Sequence, residues 1–107
     1  MNISFEDFKK CEMRIGTVLV AEPVAGSEKL LRLEVDFGEY KRQILSGIAK
    51  YYKPENLVGK QMPFIVNLEP RNMMGLESQG MLIATGNGDE AVLLFPDKEI
   101  PAGSHIR

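Results

Sequence analysis

The chain has 107 residues, 44% of them hydrophobic, and its 13 lysines and arginines against 15 aspartates and glutamates give a net charge of −2. A chain this short forms one domain with a modest core, which excludes a large multi-step enzyme. Its apolar runs are far shorter than the roughly 20 residues that cross a bilayer. Its single cysteine cannot form an internal disulfide, and with the only histidine third from the end, His/Cys metal sites and Ser/Cys–His catalysis within the chain are close to excluded.

A short helix is predicted at the N-terminus. Ser4 and Asp7 have the spacing of a capping box, and Ile3 and Phe8 have the spacing of a hydrophobic staple around it. Residues 5–10 should therefore form about two helical turns.

Three strands are predicted next. Residues 13–21 are almost continuously apolar, and Gly16 within them indicates a bulge or a close approach of two backbones. Residues 30–37 alternate between apolar and polar side chains, which predicts a strand with one buried face and one wet face. A tight connection at 38–39 joins this strand to residues 40–46, so the two strands should form a hairpin.

The middle of the chain is interpreted as a connector, a strand and a loop. Residues 47–59 are too rich in proline, glycine and asparagine for a strand. Residues 61–66 are predicted as a fourth strand, in which Pro63 indicates an edge or an irregular pairing position. Residues 67–80 are predicted as a long loop.

The last strands complete an architecture. Residues 81–85 and 91–95 flank a glycine-rich turn and should form a hairpin, and a polar tail follows at 96–107. This order of strands is that of an all-β OB-fold, a five-stranded Greek-key barrel, here with a short N-terminal helix and a C-terminal extension. The strand pattern alone leaves an SH3-like barrel or a small sandwich open.

The charge is unevenly distributed. Residues 29–71 carry eight basic and five acidic groups, whereas the segments on either side are acidic. Either the middle forms a basic face, or these groups solvate an ordinary surface. OB-folds bind oligonucleotides or oligosaccharides on strands two and three and on the neighbouring loops. Those loops are 22–29 and 67–79 here, and both carry groups that donate to phosphate or ribose.

Five blocks of sequence follow one another at informative spacings: Ser27–Leu31, Val35–Glu39, Arg42–Ala49, Asn67–Arg71 and Gly75–Met81. Together they resemble the tRNA-binding domain at the C-terminus of methionyl-tRNA synthetases, and the resemblance covers essentially the whole chain. Similar domains occur as a free structure-specific tRNA-binding protein and as a protein-export chaperone. The resemblance implies an OB-fold that dimerises through its end segments and binds the outer corner of tRNA with little sequence preference.

The resemblance also implies a set of RNA-contacting residues. They are Lys29, Arg42, Asn67, Arg71, Ser78 and Met81. Lys29 and Arg71 have the length to reach phosphates, and Arg42 can clamp a phosphate or stack on a base. Short polar groups such as those of Asn67 and Ser78 can bond a 2′-hydroxyl.

Several side chains have a second interpretation. Met81 could fill a gap in the barrel core, and the Ser78 hydroxyl could bond its own backbone. Tyr51 and Tyr52 are interpreted as packing residues of the connector, because single-strand binders carry their aromatic side chains on strands two and three.

Both ends carry more apolar side chains than a small barrel needs as plugs. They are Ile3, Phe5 and Phe8 at one end and Phe95, Ile100 and Ile106 at the other. Burial of this surplus predicts that residues 1–12 and 96–107 form the interface of a symmetric dimer. Capping of the barrel ends within one chain is the alternative, and the resemblance favours the dimer.

We therefore predict that residues 1–107 form a single, cytoplasmic tRNA-binding domain. It would act as the C-terminal domain or β subunit of methionyl-tRNA synthetase, aiding tRNA capture as a homodimer, with no chemistry, cofactor, metal or membrane contact of its own. The alternative is a free homodimeric chaperone or export protein of the same fold that binds peptides. In that case Met73 and Met74 would be peptide contacts.

Overall fold

The structure is a computed structural model that describes all 107 residues. One short helix precedes ten strands, and a single 3-10 turn lies at Pro54–Asn56. The elements are α1 (Phe5–Lys9), β1 (Met13–Pro23), β2 (Leu31–Asp36), β3 (Lys41–Ser46), β4 (Gln61–Ile65), β5 (Arg71–Met73), β6 (Leu76–Ser78), β7 (Met81–Leu82), β8 (Ala84–Thr85), β9 (Val92–Leu93) and β10 (His105–Ile106). Neither helical segment has the length and apolar character needed to span a bilayer.

The helix begins where the sequence predicts. The Ser4 hydroxyl accepts a hydrogen bond from the backbone N–H of Asp7 at 3.1 Å, so the N-cap is satisfied. The helix ends at Lys9, one residue earlier than expected, and Lys10 is its C-cap. None of the residues of α1 is buried. The helix is held in place by the segment that follows it, where Asn67 bonds the backbone of Lys10 and Glu12.

The main sheet has the antiparallel order β3-β2-β1-β4-β7. The alternation predicted for β2 is confirmed, with Leu31, Leu33 and Val35 all buried in the barrel. Gly16 is needed for a different reason from the predicted bulge or close approach of two backbones: side chains fill the space of its missing Cβ, which would lie 2.3 Å from Cγ1 of Val35. The break in register falls elsewhere, between Val18 and Val20.

Hydrogen bonds between β3 and residues 78–79, at the end of β6, close the barrel. The backbone N–H of Gln43 donates to Oε1 of Gln79 at 2.9 Å, and the N–H of Gln79 donates to the Gln43 carbonyl at 2.8 Å. The N–H of Leu45 donates to Oγ of Ser78 at 3.0 Å. The predicted OB-fold is therefore confirmed, with β1 to β4 and β7 as its barrel and Phe64, Met62 and Ile44 among its buried core.

The predicted loop at 67–80 is wrong in part, because it contains the hairpin formed by β5 and β6. Met74 and Gly75 form its turn, and both have positive φ angles, 52° and 79°. Positive φ at both central residues is the type I′ pattern, whose twist suits a two-residue hairpin. Left-handed methionine is uncommon, and Met-Gly is not one of the usual type I′ pairs, so residues 74–75 were not predicted as a turn.

The last two predicted strands are also divided. Residues 81–85 form β7, which pairs with β4, and β8, which pairs with β9 in a separate sheet. Strand β4 is therefore flanked by β1 and β7, so of the two alternatives for Pro63 the edge is wrong. An irregular pairing position describes it, because the register pairs of β4 with β7 stop at Phe64. Pro63 lacks an N–H and uses its carbonyl, which accepts from Ile83 at 3.0 Å.

The C-terminal extension returns to the barrel. Strand β10 pairs with the start of β1. Arg14 donates from Nη1 to the Gly103 carbonyl at 2.9 Å, while its Nε pairs with Oε1 of Glu12 at 2.7 Å. The hydrogen bond to Glu12 raises the pKa of Arg14 above its usual value, so this anchor keeps its charge.

Candidate nucleic-acid interface

The outer face of β2 offers little free positive charge. Nε of Arg32 pairs with Oε1 of Glu22 at 2.6 Å, and its Nη1 donates to Oε1 of Gln43 at 3.1 Å. The Gln43 amide in turn donates to the Glu77 carbonyl at 2.8 Å. These bonds join β1, β2, β3 and β6 into a polar layer that is already satisfied within the chain.

The exposed cations of the predicted site lie instead in the β1–β2 loop and at the start of the β5–β6 hairpin. The ion pairs of the chain use Lys9, Lys10, Arg14 and Arg32. Lys29, in the loop between β1 and β2, and Arg71, at the start of β5, are exposed and have no carboxylate partner. Loop cations of this kind are free to neutralise phosphates.

The loop of Lys29 is held by its own backbone contacts. Oγ of Ser27 accepts from the backbone N–H groups of Lys29 and Leu30, at 3.2 and 3.1 Å. The Lys29 carbonyl accepts from the N–H of Ala49 at 3.0 Å. The main chain is fixed at this point, so the ammonium group extends from a defined position.

The two loops that were predicted to flank the binding face are in contact. The tip of the β5–β6 hairpin lies over the β1–β2 loop, where a Cβ added at Gly26 would be 3.2 Å from Cε of Met74. The hairpin missed in the sequence therefore brings the strand of Arg71 towards the loop of Lys29.

Arg71 and Ser78 are cross-strand partners in that hairpin, but their environments differ. Ser78 is only 3% exposed. Its Oγ accepts from the N–H of Leu45 and donates to the carbonyl of Gly80, both at 3.0 Å. The interpretation of Ser78 as a hydroxyl bonded to backbone describes this geometry, and its hydroxyl is used inside the fold.

Arg42 is half-buried and bonded within the chain. Its Nη1 donates to the carbonyls of Val66 and Gln79, at 2.8 and 3.1 Å. Its guanidinium carbon lies 4.7 Å from the centroid of the Tyr40 ring. Arg42 thus ties the end of β4 to the segment that precedes β7, and one of its faces meets an aromatic ring.

Asn67 joins the barrel to the N-terminal segment. Its Oδ1 accepts from the backbone N–H of Glu12 at 2.9 Å, and its Nδ2 donates to the Lys10 carbonyl at 2.7 Å. Met81 lies opposite Ile65 on the outside of β7 and is 46% exposed, which excludes the core interpretation for its side chain. The pairing of β4 with β7 places Met81 opposite Ile65, two residues before Asn67.

The adjacent tyrosines of the connector have different roles. Tyr52 packs against the core, and its hydroxyl accepts from the N–H of Leu93 at 3.2 Å, so the packing interpretation is confirmed for this residue. Tyr51 is 41% exposed and lies beside Lys29 and Lys50 at the surface. Sequence reasoning named neither Lys50 nor Tyr51 as a candidate site residue, although the Lys-Tyr pair directly follows a block of the family resemblance.

The residues predicted for a dimer interface form two exposed patches. Phe5, which is 69% exposed, lies with Phe8 and Ile106 along an apolar groove of about 320 Å³. Phe95 and Ile100 are exposed next to the start of β4, where the Lys60 ammonium lies 5.4 Å from the Phe95 ring and Gln61 bonds Ile100. Ile3 is exposed before α1.

The fold and the loop cations define an OB-fold binding domain, and comparison with known proteins identifies its family. Residues 13–105 match the family model described as "Putative tRNA binding domain". The chain is 59% identical over 105 residues to a methionine-tRNA ligase of Methanothrix thermoacetophila and 51% identical over 104 residues to that of Thermotoga maritima. These matches cover 98% and 97% of this chain but only 16% of each ligase.

Solved structures agree with this relationship. A MetRS related protein from Pyrococcus horikoshii superposes with a TM-score of 0.95 at 39% identity, covering 100% of this chain and 99% of that chain. The chaperone CsaA of Bacillus anthracis superposes with a TM-score of 0.91 at 37% identity, covering 100% of both chains. The chain therefore belongs to the tRNA-binding domain family and is related to methionine-tRNA ligases.

Proposed function

We propose that this chain binds folded tRNA through its phosphates and shape, with little sequence preference, as an accessory domain or β subunit of methionyl-tRNA synthetase in the cytoplasm. The observation that carries the proposal is the pair of free, exposed cations, Lys29 and Arg71, on loops that touch each other. The family match supports the same ligand. The domain would aid capture of tRNA, and the chemistry would belong to the synthetase.

The geometry divides the six predicted residues into two roles. Lys29 and Arg71 would neutralise phosphates, and the exposed thioether of Met81 would pack against a ribose or base. Arg42, Asn67 and Ser78 would act mainly as positioning residues, because their polar atoms are bonded inside the chain. So few direct cations predict binding of modest affinity for one chain.

A homodimer would offset that modest affinity. We propose that residues 1–107 act as one domain whose segments 1–12 and 96–107 pair with those of a second copy. The exposed rings of Phe5 and Phe95 and the side chain of Ile100 support this, because isolated domains seldom leave so much apolar surface uncovered. Two binding faces in one particle would raise the effective concentration for a ligand as large as tRNA.

The proposal is tested by fluorescence anisotropy with labelled, folded tRNA at several salt concentrations. Single-stranded RNA and duplex RNA with equal numbers of phosphates serve as competitors. We expect micromolar or tighter binding that weakens with salt and is competed poorly by both controls. Absence of binding to tRNA at low salt, or equal competition by single strands, would contradict it.

Peptide binding is the second candidate function. The superposition on a chaperone over the full length of both chains favours it, as do the exposed side chains of Met74 and Leu68. An unfolded, uncharged peptide should then bind with an affinity that is insensitive to salt, unlike tRNA. Titration of one labelled peptide at low and high salt separates the two functions.

A further inference from the structure

A polar pocket lies beside the β1–β2 loop. Of the six residues predicted for RNA contact, only Lys29 lines it. Its volume is about 440 Å³, which falls in the size range of small-ligand sites, about 300–1,000 Å³. Its lining residues are Lys29, Gly47, Lys50, Tyr51 and Asp89. We call it the Lys50 pocket.

Backbone hydrogen bonds build the Lys50 pocket. The bond from the Ala49 N–H to the Lys29 carbonyl places the connector against the loop. The N–H groups of Tyr51 and Tyr52 both donate to the carbonyl of buried Ile48, at 3.0 and 3.1 Å, which makes a tight turn. Lys50 and Tyr51 are exposed on the outer side of this turn.

The chemistry of the pocket is that of a nucleotide site. Lys29 and Lys50 have no carboxylate partner, so two positive charges are free for an anion. The Tyr51 hydroxyl donates to the carbonyl of Asp89, which orients the ring. No other aromatic ring of the chain stacks on Tyr51, and the residue is 41% exposed. Asp89 also lines the pocket and adds one negative charge, so the two lysines leave the lining net positive.

We propose that the Lys50 pocket takes one unstacked nucleotide of folded tRNA, with its phosphate on Lys29 and Lys50 and its base on the ring of Tyr51. The inference rests on the proposed tRNA binding and adds a subsite to it. Paired bases in an A-form helix stay stacked, whereas bases in loops can be splayed out onto an aromatic side chain. The pocket would therefore let a largely shape-reading domain favour RNA with unpaired nucleotides over a blunt duplex.

The test compares Tyr51→Leu with Tyr51→Phe on two ligands, folded tRNA and a blunt RNA duplex with equal phosphates. Leucine keeps apolar bulk without a ring, and phenylalanine keeps the ring without the hydroxyl. We expect Tyr51→Leu to weaken tRNA binding about fivefold or more and duplex binding less than about twofold, since base stacking on an aromatic side chain is lost only with tRNA. Tyr51→Phe should bind tRNA within about twofold of the wild type.

A charge-matched pair tests the phosphate contact. Lys50→Ala and Lys53→Ala remove the same charge from the same connector, but only Lys50 lines the pocket. We expect Lys50→Ala to weaken tRNA binding several-fold more than Lys53→Ala. Equal losses in this pair, or unchanged tRNA binding in Tyr51→Leu, would overturn the pocket. If Arg71→Ala still weakens tRNA binding, the proposed function survives that result; a wild-type chain that binds no tRNA would overturn both.

Discussion

Gln61 and Ile100 exchange two hydrogen bonds across the boundary between the barrel and the C-terminal extension. Nε2 of Gln61 donates to the Ile100 carbonyl at 2.6 Å, and the Ile100 N–H donates back to Oε1 at 3.1 Å. The same Nε2 lies 3.1 Å from Oγ1 of Thr17 on β1. One side chain of β4 therefore fixes the backbone of the segment that we propose as a dimer interface.

Gln61→Leu should loosen this extension. Loss of both hydrogen bonds is expected to lower the free energy of unfolding by about 1–3 kcal/mol and to weaken any dimer. Gln61→Glu is the matched control, because it keeps the acceptor for the Ile100 N–H. Urea denaturation and light scattering measure the two effects. If Gln61→Leu has the stability and mass of the wild type, the pairing with Ile100 does not hold the extension.

Ser78→Ala should affect stability more than RNA binding. It leaves the N–H of Leu45 without its acceptor in the buried seam, which should cost about 1–3 kcal/mol. Well below the melting temperature, the variant should bind tRNA within about twofold of the wild type, since Ser78 is buried. A large loss of affinity with unchanged stability would instead show that the hydroxyl contacts RNA.

Arg71→Ala and Lys29→Ala should each weaken tRNA binding by about 1 kcal/mol and reduce the slope of log affinity against log salt by about one unit. Their thermal stability should not change, because neither side chain is bonded within the chain. Lys53→Ala removes the same charge from the connector, outside both loops and both end segments, and should change the affinity less. Unchanged affinity in both loop variants would place the tRNA site elsewhere.

Phe5→Ser tests the proposed dimer. The ring lies exposed beside the apolar groove, so its removal should shift the chain towards monomer by multi-angle light scattering. Leu68→Ser is the control, because Leu68 is an exposed apolar residue, at 45%, outside both end segments. A dimer that persists in Phe5→Ser, and also after deletion of residues 1–10, would exclude the N-terminal segment from the interface.

Gly16→Ala should destabilise the barrel by about 1–3 kcal/mol or more, because its Cβ would overlap Val35 and lie 2.7 Å from the Phe37 ring. Gly47→Ala is a suitable control, since a Cβ at that position meets nothing within 4 Å. Denaturant unfolding should separate the two variants clearly. Equal stability would mean that β1 and β2 can separate more easily than their packing suggests.

The sequence predicted the elements that have a local pattern, either alternating apolar side chains or a helix cap. The alternation of Leu31, Leu33 and Val35 defined β2, and Ser4 defined the start of the helix. The hairpin of β5 and β6 was not predicted because its turn holds Met74 in a left-handed conformation. In the fold this turn contacts the β1–β2 loop. A contact between distant segments leaves no signal in the local sequence.

The candidate site could also be predicted from the sequence only in part. The family resemblance selected six residues, but burial and bonding were needed to separate exposed Lys29 and Arg71 from internally bonded Ser78. The adjacent Tyr51 and Tyr52 are identical in residue type, so only the turn at Ile48 decides which ring faces outward. Residue type predicts what a side chain can do, and the fold decides what it can reach.

The barrel can open locally at the seam between β3 and residues 78–79. Two backbone amides of β3, those of Gln43 and Leu45, donate to side-chain oxygens of Gln79 and Ser78 and not to backbone carbonyls. A side chain can rotate away without breaking the backbone hydrogen bonds between paired strands. This seam should therefore open locally at a lower free energy than the β1–β2 pairing. In amide hydrogen exchange, the N–H groups of Gln43 and Leu45 should therefore exchange faster than that of Val35. The barrel should open first between β3 and residues 78–79.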